Sequence, residues 1–205
     1  MQITKIEVQK KRKDRYNIFI DGVFRFGLDE GVVARIGLYE KKEIDEKEIE
    51  QIEKEEVIAK AFNAAANFLK TRERSKKEIR DKLKTKEYSE SVIEKVLEKL
   101  ERLDIVNDKR FAEMFVRDRM KLKPKGKKVL SLELAQKGID RNTIEEVLQE
   151  LVGGDGEIEL AKRVLEKAEK KYSGLEENIR RDKIIKYLLS KGFSWNTIEG
   201  LTHSF

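Results

Sequence analysis

An internal repeat constrains the fold of this 205-residue chain more than any other feature of its sequence. Three stretches align without gaps, 77–100, 128–151 and 182–205, at offsets of 51 and then 54 residues. A period close to 50 residues indicates tandem units that bury their apolar faces against one another. Apolar residues recur at five matched positions: Ile79, Leu130 and Ile184; Leu83, Leu134 and Leu188; Tyr88, Ile139 and Phe193; Ile93, Ile144 and Ile198; Val96, Val147 and Leu201.

Each unit also carries a tight turn between two helical segments, and a lysine precedes it in all three units (Lys86, Lys137 and Lys191). Gly138 and Gly192 suit the left-handed position that ends a helix. Ser89, Asp140 and Ser194 suit the N-cap of the helix that follows. Because the first unit has Glu87 where the others have glycine, we expect its turn to be strained or differently closed.

A further helix is predicted ahead of each pair, over about 57–71, 108–122 and 159–172, which makes every unit a set of three helices. Helices of this length are not stable alone and need to bury their apolar stripes against one another. The run Gly153-Gly154-Asp155-Gly156 is predicted to link the second unit to the third. It lacks the Lys-Ser/Thr ending of a phosphate-binding loop.

The first 40 residues differ from the rest, because they are rich in aromatic and β-branched residues. Asp21-Gly22 lies between the runs 16–20 and 23–26, and Asp-Gly in such a setting is a strong β-hairpin signal. A short helix is predicted over 29–38. From Asp45, as N-cap, a long helix is predicted to run to about Thr71 with an apolar stripe: Ile49, Ile52, Val57, Ala61, Ala64 and Phe68.

The sequence therefore predicts a mainly α protein built from three tandem three-helix repeats that form an elongated curved array, with a small N-terminal β-hairpin. We place the hairpin and short helix in 1–42, and an acidic lead-in helix with repeat 1 in 43–104. Repeat 2 occupies 105–152 and repeat 3 occupies 153–205. The segment 43–56 has a net charge of −6, and we interpret it as a solvated helix face rather than an acidic binding site.

Composition excludes several classes of site. Without cysteine there is no disulfide framework, thiolate metal site or cysteine nucleophile, and the single His203 cannot form a multi-histidine metal site. No catalytic constellation is visible, so no enzyme activity and no cofactor are expected. No stretch resembles a signal peptide or a membrane span, which predicts a cytoplasmic protein. The abundance of Lys, Glu and Arg also resembles thermophile composition.

Positive charge is concentrated in each repeat, late in the first helix, in the loop after it and in the second helix. The segments 70–86 and 117–128 each carry a net charge of +6, and 162–191 carries +5. We expect these segments to bind phosphates or an acidic protein surface. The candidate binding residues are Arg72, Arg74, Lys76, Lys77, Arg110, Arg117, Arg119, Lys121, Lys123, Lys125, Lys127, Lys128, Lys162, Arg163, Lys170, Lys171, Arg180 and Arg181.

Three alternatives stay open for these residues. Lysines and arginines alternating with glutamates are also typical of solvated faces, and Arg74 and Arg110 could form intramolecular salt bridges. The second and third helices could form a helix-turn-helix, but acidic third helices would be repelled by DNA phosphate.

Phe193 is expected in the core by its repeat position, whereas Trp195 could pack or stack on a base.

Several motifs resemble the signature of bacterial RecX regulatory proteins: Phe68-Leu69-Lys70-Thr71-Arg72-Glu73-Arg74-Ser75, Asn107-Asp108-Lys109-Arg110-Phe111-Ala112, Phe115-Val116-Arg117-Asp118-Arg119, Lys123-Pro124-Lys125-Gly126, and Lys137-Gly138-Ile139 with Lys191-Gly192-Phe193-Ser194. The family pattern favours glycine at Glu87 and near Asp104.

This resemblance implies a non-enzymatic modulator of the RecA recombinase. It implies that the protein lies in the groove of the RecA filament on DNA and inhibits its ATPase, strand-exchange and coprotease activities in DNA repair and the SOS response. It also implies a monomer whose partners are the RecA nucleoprotein filament and the phosphates of single- or double-stranded DNA, with no membrane partner. The alternative from the same charges is a protein whose main activity is direct, sequence-independent DNA binding.

Overall fold

The computed structural model describes residues 1–202, so the predictions for His203 and for the end of repeat 3 lie outside the described residues. The described part divides into two compact units, residues 1–72 with 79–105 (unit 1) and residues 73–78 with 106 onward (unit 2). Its elements are β1 (Ile3–Val8), β2 (Arg15–Ile20), β3 (Val23–Asp29), α1 (Glu30–Ile36), α2 (Glu46–Leu69), α3 (Lys76–Lys84), α4 (Glu90–Arg102), α5 (Asp108–Leu122), α6 (Lys127–Gln136), α7 (Arg141–Val152), α8 (Asp155–Tyr172), α9 (Glu177–Ser190) and α10 (Trp195–Thr202). The mainly helical fold with three three-helix repeats is confirmed.

The N-terminal element of unit 1 is a three-stranded antiparallel sheet in the order β1-β2-β3. The predicted hairpin is its β2-β3 pair, and the turn between them places Asp21 and Gly22 at positive φ, as a type I′ turn requires. The β1 strand adds a third strand along β2. Side chains of Ile3, Ile18 and Leu28 are fully buried under the sheet against α1 and α2.

The helix α2 begins as predicted, because Asp45 and Glu48 form a reciprocal capping box at its start. Its buried stripe differs from the predicted one: Val57 is 40% exposed, while Ile58 is buried. Ile49, Ile52 and Glu56 are buried on one face of α2, whereas Ile58, Ala61 and Ala65 are buried on another face. The buried face therefore changes along the helix, and Val57 lies on neither part of it.

The acidic start of α2 is mostly a solvated face, and Glu56 is the exception. Only 5% of Glu56 is exposed, and its Oε1 lies 2.6 Å from Nη2 of Arg15. Its Oε2 accepts a hydrogen bond of 2.9 Å from the backbone N–H of Asp29. Lys60 Nζ lies 3.5 Å from the same carboxylate. Glu56 therefore ties α2 to β2 and to the end of β3.

The matched repeat positions form the cores of the helical repeats. Ile79, Leu83 and Ile93 are fully buried in unit 1. Leu134, Val147, Leu188 and Ile198 are fully buried in unit 2, and Phe193, at 3% exposure, is a core residue as predicted. Trp195 is 54% exposed, so it lies outside the core.

The turn chemistry follows the sequence closely. Gly138 and Gly192 have φ of 81° and 85°, and Glu87 and Asp104 adopt positive φ of 62° and 49° without being glycine. A left-handed backbone costs an ordinary residue about 1–2 kcal/mol, so the first turn is strained as expected.

Asp140 and Ser194 accept hydrogen bonds from the N–H groups of Thr143 and Thr197 and cap their helices.

Two local predictions have different outcomes. Ser89 is the N-cap residue of α4, as predicted, although its hydroxyl contacts Ser91 at 3.1 Å and caps no backbone N–H. The predicted linker 153–156 is shorter than expected, because α8 already begins at Asp155. Only the two glycines at its start separate α7 from α8.

A hydrogen-bonded contact between a helix start and a turn recurs within unit 2 at equivalent repeat positions, and we call it the turn-docking contact. The N–H of Gly126, just before α6, donates to Lys191 O at 2.9 Å, and the N–H of Lys128 donates to Gly192 O at 3.3 Å. Ser75, just before α3, stands 51 residues ahead of Gly126, and its hydroxyl donates to Lys137 O at 2.7 Å. In both cases the segment that begins a second helix lies on the turn of the following repeat.

Candidate partner-binding surface

The candidate cations fall into two groups in the structure. Those of the first group have partners within the protein. Arg119 Nε lies 2.9 Å from Glu133 on α6, and its guanidinium lies 4.5 Å from the centre of the Phe115 ring. Lys125 Nζ pairs with the same Glu133 carboxylate. Partial burial raises the pKa of Glu133, but the hydrogen bonds from Lys125 and Arg119 outweigh it and leave that pKa below its ordinary value. These cations fasten α5 and the loop after it to α6.

Three more candidates lie at the starts of α3 and α5 and have partners within unit 2. Arg110 Nε lies 3.4 Å from Glu73, so the salt-bridge alternative is the one the structure supports for this residue. Lys76 Nζ lies 4.0 Å from Asp108, and Lys77 Nζ donates to Gln136 O at 2.9 Å. Arg74 is half-buried, with its Nε shielded from solvent.

The second group forms an exposed surface, defined by Arg117, Lys121, Lys123 and Lys128, that we call the α5–α6 basic surface. Arg117 and Lys121 are four residues apart on one face of α5, Lys123 follows its end, and Lys128 lies in the first turn of α6. None of the four forms an ion pair with any of the described residues. Lys127 is half-buried, and its N–H donates to Glu157 at 3.3 Å.

The candidates of repeat 3 are similarly divided. Arg163 caps the end of α5, because its guanidinium donates to Met120 O at 2.9 Å and to Lys121 O at 3.3 Å. Lys162 Nζ lies 3.8 Å from Glu159, and Lys171 Nζ lies 5.2 Å from the centre of the Tyr172 ring. Lys170, Arg180 and Arg181 form no ion pair within residues 1–202, and Arg72, the remaining candidate, is exposed in unit 1.

The third helix of repeat 2 carries carboxylates on its exposed side. Glu146 on α7 pairs with Lys109 at 2.5 Å, and Glu145 pairs with Arg141 at 2.7 Å. A recognition helix needs donors that can reach base edges close to DNA phosphates. The exposed face of α7 therefore does not suit base reading.

Sequence reasoning missed a basic cavity in unit 1. Arg12, Lys60, Lys82 and Lys86 line it, and none of them was among the candidate residues. One signal was available, the run of four bases Lys10-Lys11-Arg12-Lys13 at the end of β1. The other cations come from distant parts of the sequence, so only the fold brings them together.

No group of three or more His, Asp or Glu side chains in 1–202 is placed to hold a metal ion. No helix in the same range combines the length and the apolar content that a membrane crossing requires.

Four family profiles match this chain in order along its length. They are described as the N-terminal domain of regulatory protein RecX, over residues 1–45, and as the first, second and third three-helix domains of RecX, over 61–100, 107–148 and 155–200. Together they match more than half of the chain.

Whole-length relatives carry the same description. The chain is 39% identical over 194 residues to the regulatory protein RecX of Listeria monocytogenes serotype 4a (strain HCC23), covering 95% of this chain and 72% of that protein. It is 41% identical over 196 residues to the regulatory protein RecX of Bacillus velezensis (strain DSM 23117 / BGSC 10A6 / LMG 26770 / FZB42), covering 96% and 74%.

Two solved structures are also similar. A crystal structure of regulatory protein RecX matches with a TM-score of 0.88 and 32% identity, covering 100% of this chain and 99% of that one. A crystal structure of RecX from Lactobacillus salivarius matches with a TM-score of 0.66 and 37% identity, covering 72% and 96%.

Proposed function

The chain belongs to the RecX family of regulatory proteins, and from this premise we propose that it binds RecA nucleoprotein filaments and inhibits their ATPase, strand-exchange and coprotease activities. As a member of this family it is a regulator and not an enzyme. The proposal includes a monomer that acts in the cytoplasm, during DNA repair and the SOS response.

The α5–α6 basic surface is the observation that carries this proposal. Several cations of repeat 2 pair with carboxylates of the protein, whereas Arg117, Lys121, Lys123 and Lys128 are exposed and form no ion pair with the described residues. Such a surface attracts an acidic protein groove, and on DNA it neutralises phosphates and releases the counterions condensed around them. The proposed contact is therefore electrostatic and independent of base sequence.

The test is the ATPase activity of RecA on single-stranded DNA, measured with stoichiometric protein. We expect the wild-type protein to lower RecA turnover, and we expect the double variant R117E/K121E to lose most of this inhibition. The matched control is K54E/K95E, which reverses the charge of two exposed lysines, one on α2 and one on α4, in unit 1. Wild-type protein without effect on turnover, or an R117E/K121E variant that inhibits as well as wild type, would contradict the proposal.

Direct DNA binding is the second candidate, because the same four cations could meet phosphates without RecA. It predicts steep salt dependence on bare duplex DNA, with log K changing by about −0.9 per log unit of salt for each phosphate neutralised. Weak binding to bare DNA together with strong binding to the filament would favour the RecA-directed function. The opposite result would favour direct DNA binding.

A further inference from the structure

A cavity of about 590 Å³ opens in unit 1 between the sheet, α2 and repeat 1. Arg12 lines it from the β1-β2 loop, Lys60 and Asn67 from α2, Lys82 from α3, and Lys86 and Tyr88 from the turn before α4. No carboxylate lines the cavity within the described residues. Its size suits a small ligand or one segment of a larger one.

Two of the five cations that line this cavity have no carboxylate partner among the described residues. The other three do, because Arg12 pairs with Asp14 at 2.6 Å, and Arg15 and Lys60 both face Glu56. Lys82 and Lys86 form no ion pair within residues 1–202, and Lys82 Nζ lies 5.7 Å from the centre of the Phe68 ring. Glu56, just behind the wall, already pairs with Arg15, with Lys60 at a longer distance of 3.5 Å. Cations that converge on a concave surface without internal partners attract anions.

The lysines equivalent to Lys86 in the other two repeats both have partners within the protein. In repeat 2 the lysine equivalent to Lys86, Lys137, pairs with Glu78 at 2.7 Å. In repeat 3 the equivalent Lys191 lies 4.9 Å from the centre of the Tyr187 ring. Lys86 has neither kind of partner among the described residues, and it lines the cavity instead.

The aromatic residue of the turn shows the same difference. Ile139 and Phe193, the equivalents of Tyr88, are 5% and 3% exposed, and their turns take part in the turn-docking contact. Tyr88 is half-buried and lines the cavity. Residues that serve packing in repeats 2 and 3 are thus available to a ligand in repeat 1.

We propose that this cavity binds the phosphate group of a nucleotide, with the lysines on the phosphate and Tyr88 and Asn67 facing the attached nucleoside. Aromatic rings and cations are the groups that bind single-stranded nucleic acid without reading its sequence. The ligand is therefore a phosphate carried either by a DNA strand or by a free nucleotide. The site belongs to unit 1 and is independent of the α5–α6 basic surface.

The test uses the full chain without RecA, so its failure is distinct from failure of the proposed function. Binding of a fluorescein-labelled oligothymidylate is followed by anisotropy for wild type and for K82Q/K86Q, each also carrying R117E/K121E to suppress the other surface. We expect K82Q/K86Q to weaken binding by about fivefold or more, and to flatten the slope of log K against log salt by about 1.4, because each phosphate contact on a single strand contributes about 0.7.

The matched control is K54Q/K95Q, which removes two lysines from another cavity of the same unit. An equal loss in this control, or unchanged binding by K82Q/K86Q, would overturn the proposal, and circular dichroism verifies that the variants are folded. Competition with thymidine monophosphate and with inorganic phosphate identifies the source of the phosphate. Equal competition per molecule by the mononucleotide and the oligonucleotide supports a site for free nucleotides, and stronger competition by the oligonucleotide supports a site for a strand.

Discussion

At the scale of single residues, Glu56 places a charge where α2 meets the sheet. Its partner Arg15 is itself only 12% exposed at the side chain, so removing the carboxylate charge leaves a buried cation. We predict that E56Q lowers the free energy of unfolding by about 3 kcal/mol, as is usual when one member of a buried pair is lost. Urea denaturation measures the effect.

The control for this prediction is the neighbouring Glu55, which pairs with an exposed Arg35 at 2.8 Å. Because solvent screens that pair, E55Q is expected to cost less than about 1 kcal/mol. Equal losses for E55Q and E56Q would show that burial of Glu56 does not matter to stability.

The residue Glu133 gives a prediction about acid stability. Its pKa is lowered in the folded protein, so it stabilises the fold at pH values above its ordinary pKa of about 4.5, and this contribution is lost as the pH falls through the folded pKa. We predict that E133Q is less stable than wild type at neutral pH and that the difference narrows below pH 4.5.

Urea denaturation at a series of pH values from neutral to acid tests this prediction. The control E166Q changes an exposed glutamate of α8 that forms no ion pair among the described residues. A difference between E133Q and wild type that stays constant over the whole pH range would contradict the assignment.

Single residues also show what could be read from the sequence. The left-handed positions of Glu87 and Asp104 follow from turn chemistry and family resemblance, because local backbone geometry is encoded locally. Burial of Glu56 could not be predicted, since its partner lies 41 residues away and a glutamate is normally expected on the solvated face of a helix. For the same reason the sequence does not distinguish Arg119, which is paired, from Arg117, which is exposed.

At the scale of elements, the turn-docking contact depends on a glycine for steric reasons. A Cβ at Gly126 would lie 2.2 Å from the carbonyl oxygen of Gly192, so the backbones would have to separate. We predict that G126A lowers the free energy of unfolding by about 2 kcal/mol, the usual range for overpacking a close contact. Chemical denaturation followed by circular dichroism measures it.

A matched control for G126A is G174A, between α8 and α9, where a Cβ would meet nothing within 4 Å. This variant is expected to change stability by less than about 0.5 kcal/mol, or to stabilise slightly by restricting the unfolded chain. A G126A protein as stable as G174A would mean that the turn and the helix start can move apart without cost.

Helices and the repeat were predictable because their apolar periods are long and occur three times. The bounds of α5, 108–122, agree with the sequence-based range. The prediction of the apolar stripe of α2 was wrong where a polar residue, Glu56, lies on the buried face. The cavity of unit 1 was not predictable. Its cations Arg12, Lys60 and Lys86 come from three segments that only tertiary packing unites.

At the scale of the whole molecule, the net charge of +6 is a small difference between many charges of both signs. Several are joined in networks: Arg80 contacts both Glu90 and Glu94, and Glu133 contacts both Arg119 and Lys125. Ion-pair networks of this kind become more favourable at high temperature, because the cost of dehydrating charges falls.

We therefore predict thermal unfolding above the mesophile range, with a midpoint above about 65 °C. Circular dichroism at increasing temperature provides the measurement. Screening by about 1 M sodium chloride should lower the midpoint, because salt weakens exposed ion pairs. A midpoint within the mesophile range, unaffected by salt, would contradict the prediction that ion-pair networks stabilise the folded protein.

The turn-docking contact has a consequence for assembly. Its two sides are different surfaces, a helix start and a turn, so the contact is heterologous and one copy does not close it. Stacking of this kind would continue from molecule to molecule unless the end repeats differ from the middle one. Repeats 1 and 3 do differ from repeat 2: repeat 1 has Glu87 and a charged cavity at its turn, and α9 begins about one turn earlier than the repeat offset from α6 would place it. The turn of repeat 1 and the start of α9 therefore present surfaces that differ from those the contact joins, which disfavours its continuation from one molecule to the next.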